Sequence, residues 1–80
     1  MRIDKYLKNS RIIKRRTVAK EACEQGRIQI NGKIAKPGSE VSPGDTVVIG
    51  FAAREIKILV TAVPDHVTKE TSASMYEVLP

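Results

Sequence analysis

The chain has 80 residues, of which 41% are hydrophobic, and a formal net charge of +5. That length suits one small domain near the lower limit for a self-sufficient core. A single cysteine, Cys23, excludes an internal disulfide, no run approaches the roughly 18 apolar residues of a membrane span, and the first ten residues lack the apolar stretch of a signal peptide, so a cytoplasmic protein without membrane attachment is expected.

The charge is lopsided. Residues 1–36 hold eleven basic and three acidic side chains, a net of +8, whereas residues 37–80 hold three basic and six acidic, a net of −3. A positive field concentrated on one part of a small molecule favours polyanionic partners. The densest stretch is Arg11–Lys33, which carries seven of the fourteen basic residues and includes the cluster Lys14-Arg15-Arg16.

In chain order, residues 3–10 suit a short helix. Asp4 is a candidate N-cap, and Ile3, Leu7 and Ser10 recur at helical spacing beside Tyr6. Lys5, Lys8 and Arg11 follow at intervals of three and give a basic stripe. Ile12 and Ile13 form an apolar joint to a second helix expected from Thr17, whose hydroxyl would cap it. Val18, Ala19, Ala22 and Cys23 form the expected buried face of that helix, with Gly26 as its left-handed end. Free N–H groups and the dipole at its start attract anions, yet three cations stand there. That cost to the helix points to an anion supplied from outside.

Arg27 to Ile30 and Lys33 to Lys36 alternate around Asn31-Gly32, a strong local hairpin signal. Ile28, Ile30 and Ile34 are expected to face the core, and Arg27, Gln29, Lys33 and Lys36 to face a partner. Pro37-Gly38 and Pro43-Gly44-Asp45 read as turns. Thr46–Phe51 and Glu55–Val63 read as strands, with Pro64 ending the second. Residues 65–74 read as a polar loop, and Tyr76–Leu79 as a last short strand or an ordered tail. The whole is expected to be one domain, residues 1–80, with a core motif in 1–50 and C-terminal strands and tail in 51–80.

Catalytic chemistry finds little support in these residues. His66 is the sole histidine and sits in the polar stretch, while Cys23 has neither a second cysteine nor a histidine nearby. The glycines fall at turns and form no phosphate loop. Asp4 reads either as the helix cap or as a carboxylate that orients an arginine. The expectation is a binding protein without a metal or cofactor. Few base-reading side chains line the second helix, and Tyr6, Phe51 and Tyr76 are the only aromatics, so structured RNA is a better target than a DNA groove or a single strand.

The run Arg2-Ile3-Asp4, Arg15-Arg16-Thr17-Val18-Ala19, Gln25-Gly26-Arg27-Ile28, Asn31-Gly32 and Gly44-Asp45 resembles the alpha-L RNA-binding motif, also called the S-four-type domain. The resemblance implies an α+β fold with two or three short N-terminal helices packed on a small antiparallel β-sheet. Along its length, including Met75-Tyr76-Glu77-Val78-Leu79, the chain is similar to the stand-alone RqcP family of bacterial ribosome-associated quality control. That likeness implies a monomer that binds stalled large ribosomal subunits, contacts large-subunit rRNA and peptidyl-tRNA, and supports RqcH in adding alanine tails.

Carried over by position, Arg2, Asp4 and Arg16 match the central RNA-contacting group of the motif. Lys5, Lys8, Arg11, Lys14, Arg15, Thr17 and Lys20 surround it. Arg27, Asn31 and Lys33 are further RNA-binding candidates, with Gly26, Asn31 and Gly32 first of all structural. Arg15 stands where many members have a small hydroxyl residue. A heat-shock-type recycling factor and a guide domain for an RNA-modifying enzyme are the alternative functions.

Overall fold

Helix α1 spans Ile3–Asn9 and helix α2 spans Arg16–Glu24 in a computed structural model that describes all 80 residues. Five strands follow the pair: β1 Ile28–Ile30, β2 Lys33–Ile34, β3 Thr46–Phe51, β4 Arg54–Val60 and β5 Tyr76–Val78. They form one antiparallel sheet in the order β2-β1-β3-β4-β5. The expected architecture of two N-terminal helices on a small antiparallel sheet is what the chain adopts. No helix is long and apolar enough to cross a membrane.

The sequence reading misplaced the helix starts. Arg2 occupies the N-cap position of α1 and Arg15 that of α2, both with extended backbone, and no side chain caps either helix. Asp4 therefore lies inside the first turn, and Thr17 lies one residue inside α2. For α1 the reason is tertiary. The Ile3 N–H donates to the Ser39 carbonyl at 2.8 Å and the Asp4 N–H to the Pro37 carbonyl at 3.3 Å. With those donors satisfied by the 37–39 turn, the Asp4 carboxylate is free for another task.

The end of α2 follows the expectation at Gly26. Its φ is +73°, its N–H donates to Cys23 O, and the Arg27 N–H donates to Ala22 O, both at 3.0 Å. This is a Schellman termination, which requires a left-handed residue that glycine adopts without strain. Ala19 and Cys23 are buried as expected, but Val18 is exposed.

The β1–β2 hairpin closes through Asn31 and Gly32, both at positive φ, with Ile30 opposite Lys33. That register corrects two face assignments: Lys33, paired with Ile30, lies on the core-side face at its exposed end, and Ile34 lies on the other. Residues paired across the strands share a face, so Gln29 shares with Ile34, and Ile34 points to solvent. Ile28 is fully buried, Ile30 packs against the core from a half-buried position, and Ala35, whose N–H donates to Ile28 O, takes the place expected of Ile34.

Strand β3 has the expected limits, while β4 ends at Val60, short of Val63. Residues 65–74 are not all loop. Helix α3 spans Lys69–Ser72 and a 3-10 turn follows at Ala73–Met75. Thr68 and Thr71 cap each other reciprocally, side chain to backbone in both directions, which organises this polar segment without apolar periodicity.

The core lies between the helix pair and one face of the sheet. Ile3, Tyr6 and Leu7 from α1 meet Ile28, Val47, Ile49, Ile58 and Val60 from the strands, with Met75 closing one end. Tyr6 is fully buried, and its hydroxyl donates to the Met75 carbonyl at 2.8 Å. Burial pushes the phenol well above its ordinary range, so this donor stays protonated.

Candidate nucleic-acid interface

The two helices pack against each other, and the start of α1 lies beside the start of α2. There a carboxylate is held between two guanidinium groups. Asp4 is 2% exposed. Its Oδ1 accepts from the Lys5 N–H at 2.8 Å, its Oδ2 from Arg2 Nη2 at 3.1 Å, and Arg16 Nη2 stands 3.5 Å from Oδ1. The side chains of Arg2 and Arg16 remain 51% and 48% exposed, so each is anchored at one edge while its other N–H groups face solvent. An arginine fixed this way presents a preset fork to a phosphate.

Thr17 and Lys20 complete an open recess of about 290 Å³ with Arg2, Asp4 and Arg16. Arg16 is the first residue of α2, whose leading N–H groups have no side-chain cap. The uncapped, positive end of α2 and three cationic side chains therefore border one opening. The single carboxylate inside it is spent on aligning the arginines.

A second basic recess lies at the other end of α1. Lys8, Arg11 and Lys14 line it together with Asn9 and Val67, enclosing about 460 Å³. Arg11 has a φ of +63°, a left-handed conformation that its N–H bond to Lys8 O at 3.0 Å helps to hold. Lys5 stands on α1 between the two recesses, half-buried, with its ammonium 3.8 Å from Asp65. Arg15 is exposed at the cap of α2.

The remaining candidates are placed differently. Arg27 is exposed just before β1, and its carbonyl accepts the Gly50 N–H at 2.8 Å. Lys33 is exposed at the hairpin. Asn31 has its side chain committed within the fold: Nδ2 donates to Asp45 at 3.1 Å and Oδ1 accepts the Thr46 N–H at 2.9 Å. These three belong to neither recess.

Sequence reasoning missed Asn9, a buried polar residue lining the second recess, and the 37–39 turn that positions Asp4. Asn9 sits on the helical stripe but carries no charge to draw notice. The pairing of the turn with α1 spans more than thirty residues, beyond any local pattern. Beneath the first recess, burial pushes the Cys23 thiol up to about 11, with the negative charge of Asp4 adding to the effect. Cys23 is thus a protonated core side chain at neutral pH.

Comparison with known proteins identifies the family and the fold. Residues 1–47 match the S4 domain family. The RQC P-site tRNA stabilizing factor of Halalkalibacterium halodurans is 53% identical over 98% of this chain and 89% of the relative. That of Bacillus subtilis is 49% identical over 99% of this chain and 92% of the relative. Among solved structures, heat shock protein 15 of Vibrio cholerae, described as trimeric, superposes with a TM-score of 0.89 at 26% identity, covering 99% of this chain and 81% of that one. On the S4 match and the full-length relatives, the chain belongs to the S4 domain family and, within it, to the RQC P-site tRNA stabilizing factors.

Proposed function

We propose that this protein is a non-catalytic, cytoplasmic RNA-binding factor of bacterial ribosome-associated quality control. It binds stalled large ribosomal subunits carrying peptidyl-tRNA, contacts both rRNA and that tRNA, and supports RqcH-driven alanine tailing of the nascent chain. The carrying observation is the convergence of Arg2 and Arg16 on buried Asp4 at the uncapped start of α2. Thr17 and Lys20 extend that phosphate site, and Lys5, Lys8, Arg11, Lys14 and Arg15 continue the basic surface along α1 and its joint. Arg27 and Lys33 serve as peripheral phosphate contacts, and Asn31 holds the hairpin. The names of the full-length relatives support the stabilisation of a P-site tRNA.

The test is deletion of the gene with and without complementation, reading alanine tails on a stalled reporter. Loss of tails, restored by the wild-type chain and not by Arg16→Ala, is expected. Arg16→Ala removes a charge-assisted contact of about 1–3 kcal/mol and makes the salt dependence of RNA binding shallower by about one unit. Unchanged tailing in the deletion strain would overturn the assignment.

The fold shared with heat shock protein 15 favours one second reading, a large-subunit recycling factor that stabilises peptidyl-tRNA without tailing. Under that reading, deletion leaves tails intact and peptidyl-tRNA accumulates on free large subunits.

A further inference from the structure

The sheet face that carries the core extends beyond the area the helices cover. Phe51, Ile56, Tyr76 and Val78 line an open groove of about 390 Å³ there, with Arg11 and Arg54 among its walls. Phe51 is 40% and Val78 62% exposed, although both lie on the sheet face that buries Ile28, Val47, Ile49, Ile58 and Val60. Strand register explains the chemistry of the groove. Phe51 is opposite Arg54, and Ile58 is opposite Val78, so these side chains share the face. The carboxylates Glu55 and Glu77 alternate with them and fall on the other face. The groove is therefore apolar and positive, and neither Arg11 nor Arg54 has an ion-pair partner within the chain. Beside it runs β5, the last strand of the sheet, which pairs with β4 alone.

We propose that the groove and the β5 edge form a docking site for an extended segment of a partner protein, with apolar residues at alternate positions and acidic residues flanking them. Backbone pairing with an open edge supplies affinity, and side chains at every second position enter the groove. The flanking acids meet Arg54 and Arg11. RNA suits the groove less well, because its walls are mostly apolar and offer a phosphate chain few hydrogen-bond donors besides the two arginines and the Tyr76 hydroxyl. A second copy of the chain suits it less well too, since β5 pairing with β5 would set two arginine-walled faces side by side. Arg11 also lines the second basic recess, so a docked protein would border bound RNA.

The full-length chain is titrated with a fluorescein-labelled heptapeptide bearing aspartate at positions one and seven, isoleucine at three and five, and threonine between them. Fluorescence anisotropy should rise saturably below about 1 mM, an affinity within reach of a short strand. Amide resonances of Tyr76–Val78 should shift in step. The double variant Arg54→Gln, Val78→Ser changes exposed side chains outside both basic recesses. It should weaken peptide binding at least tenfold and leave RNA affinity within about twofold. A peptide with lysine in place of aspartate should also bind at least tenfold more weakly. Absence of saturable binding, equal binding of the lysine peptide, or displacement of the peptide by a short RNA would each overturn the proposal. So would concentration-dependent dimerisation that shifts the same amides.

Discussion

Replacing Asp4 by Asn tests whether RNA binding depends on aligned arginines or on charge alone. The substitution keeps the shape and an acceptor oxygen for the Lys5 N–H, but removes the anion that holds Arg2 at 3.1 Å and Arg16 at 3.5 Å. Both guanidiniums then lose their anchor. Each arginine carries about 2 kcal/mol of rotamer entropy, part of which must be given up again when it grips a phosphate. With two side chains partly released, the expected loss is about 1–3 kcal/mol, or roughly 5- to 150-fold in affinity. The folded state should change little. Both arginines are about half exposed, where such ion pairs contribute about 0–1 kcal/mol. The two accounts differ in sign, since Asp4→Asn raises the net charge from +5 to +6 and a charge-only account expects tighter binding. The assay is filter binding or anisotropy with a labelled tRNA across a salt series, with circular dichroism to confirm folding. Unchanged or tighter binding by a folded variant would refute the alignment argument.

Two further outcomes follow from backbone strain and burial. Arg11→Gly should leave thermal stability equal or raise it by up to about 1 kcal/mol, because a left-handed non-glycine residue is strained and glycine is not. The same variant should bind RNA more weakly, whereas Arg11→Ala keeps the strain and should lose affinity without the gain in stability; a marked loss of stability on Arg11→Gly would contradict the assigned conformation. Cys23, raised to about 11 from an ordinary 9.0, should alkylate with iodoacetamide at pH 8 about 100-fold more slowly than in urea-unfolded chain. Linkage gives the matching stability effect. The native state holds the thiol proton more tightly, so this contribution is fully present below pH 9.0 and declines as pH rises through about 11. A Cys23→Ala variant should lose that part of the alkaline decline.

Features set by neighbouring residues were readable from the chain alone. Asn31-Gly32 closes the hairpin and Gly26 ends α2, because positive φ at those points is a demand of local geometry. Cys23 belongs to the core as its place on the small-residue face of α2 suggested. Features set by tertiary partners were not readable. Asp4 read either as a cap or as a carboxylate orienting an arginine, and only the 37–39 turn, which accepts the Ile3 and Asp4 N–H groups, shows that α1 begins before Asp4. Ile34 looked like core because alternation was counted continuously through the turn, whereas a two-residue turn pairs residues three apart and places Ile34 with Gln29. Helix α3 escaped because its stabilisation is a polar Thr68–Thr71 exchange with no apolar stripe. In the recess, the clustering of cations was visible as composition. The grouping of Arg2 and Arg16 around Asp4 came from the motif resemblance, since residues 4 and 16 are joined only by the packing of α1 on α2.

The most direct measurement is co-sedimentation of the purified chain with large ribosomal subunits, with and without peptidyl-tRNA, alongside Arg16→Ala and Asp4→Asn. The wild-type chain should travel with the large subunit, more so when peptidyl-tRNA is present, and both variants should stay near the top of the gradient while remaining folded. Association with free small subunits, or variants that sediment as the wild type does, would contradict the account.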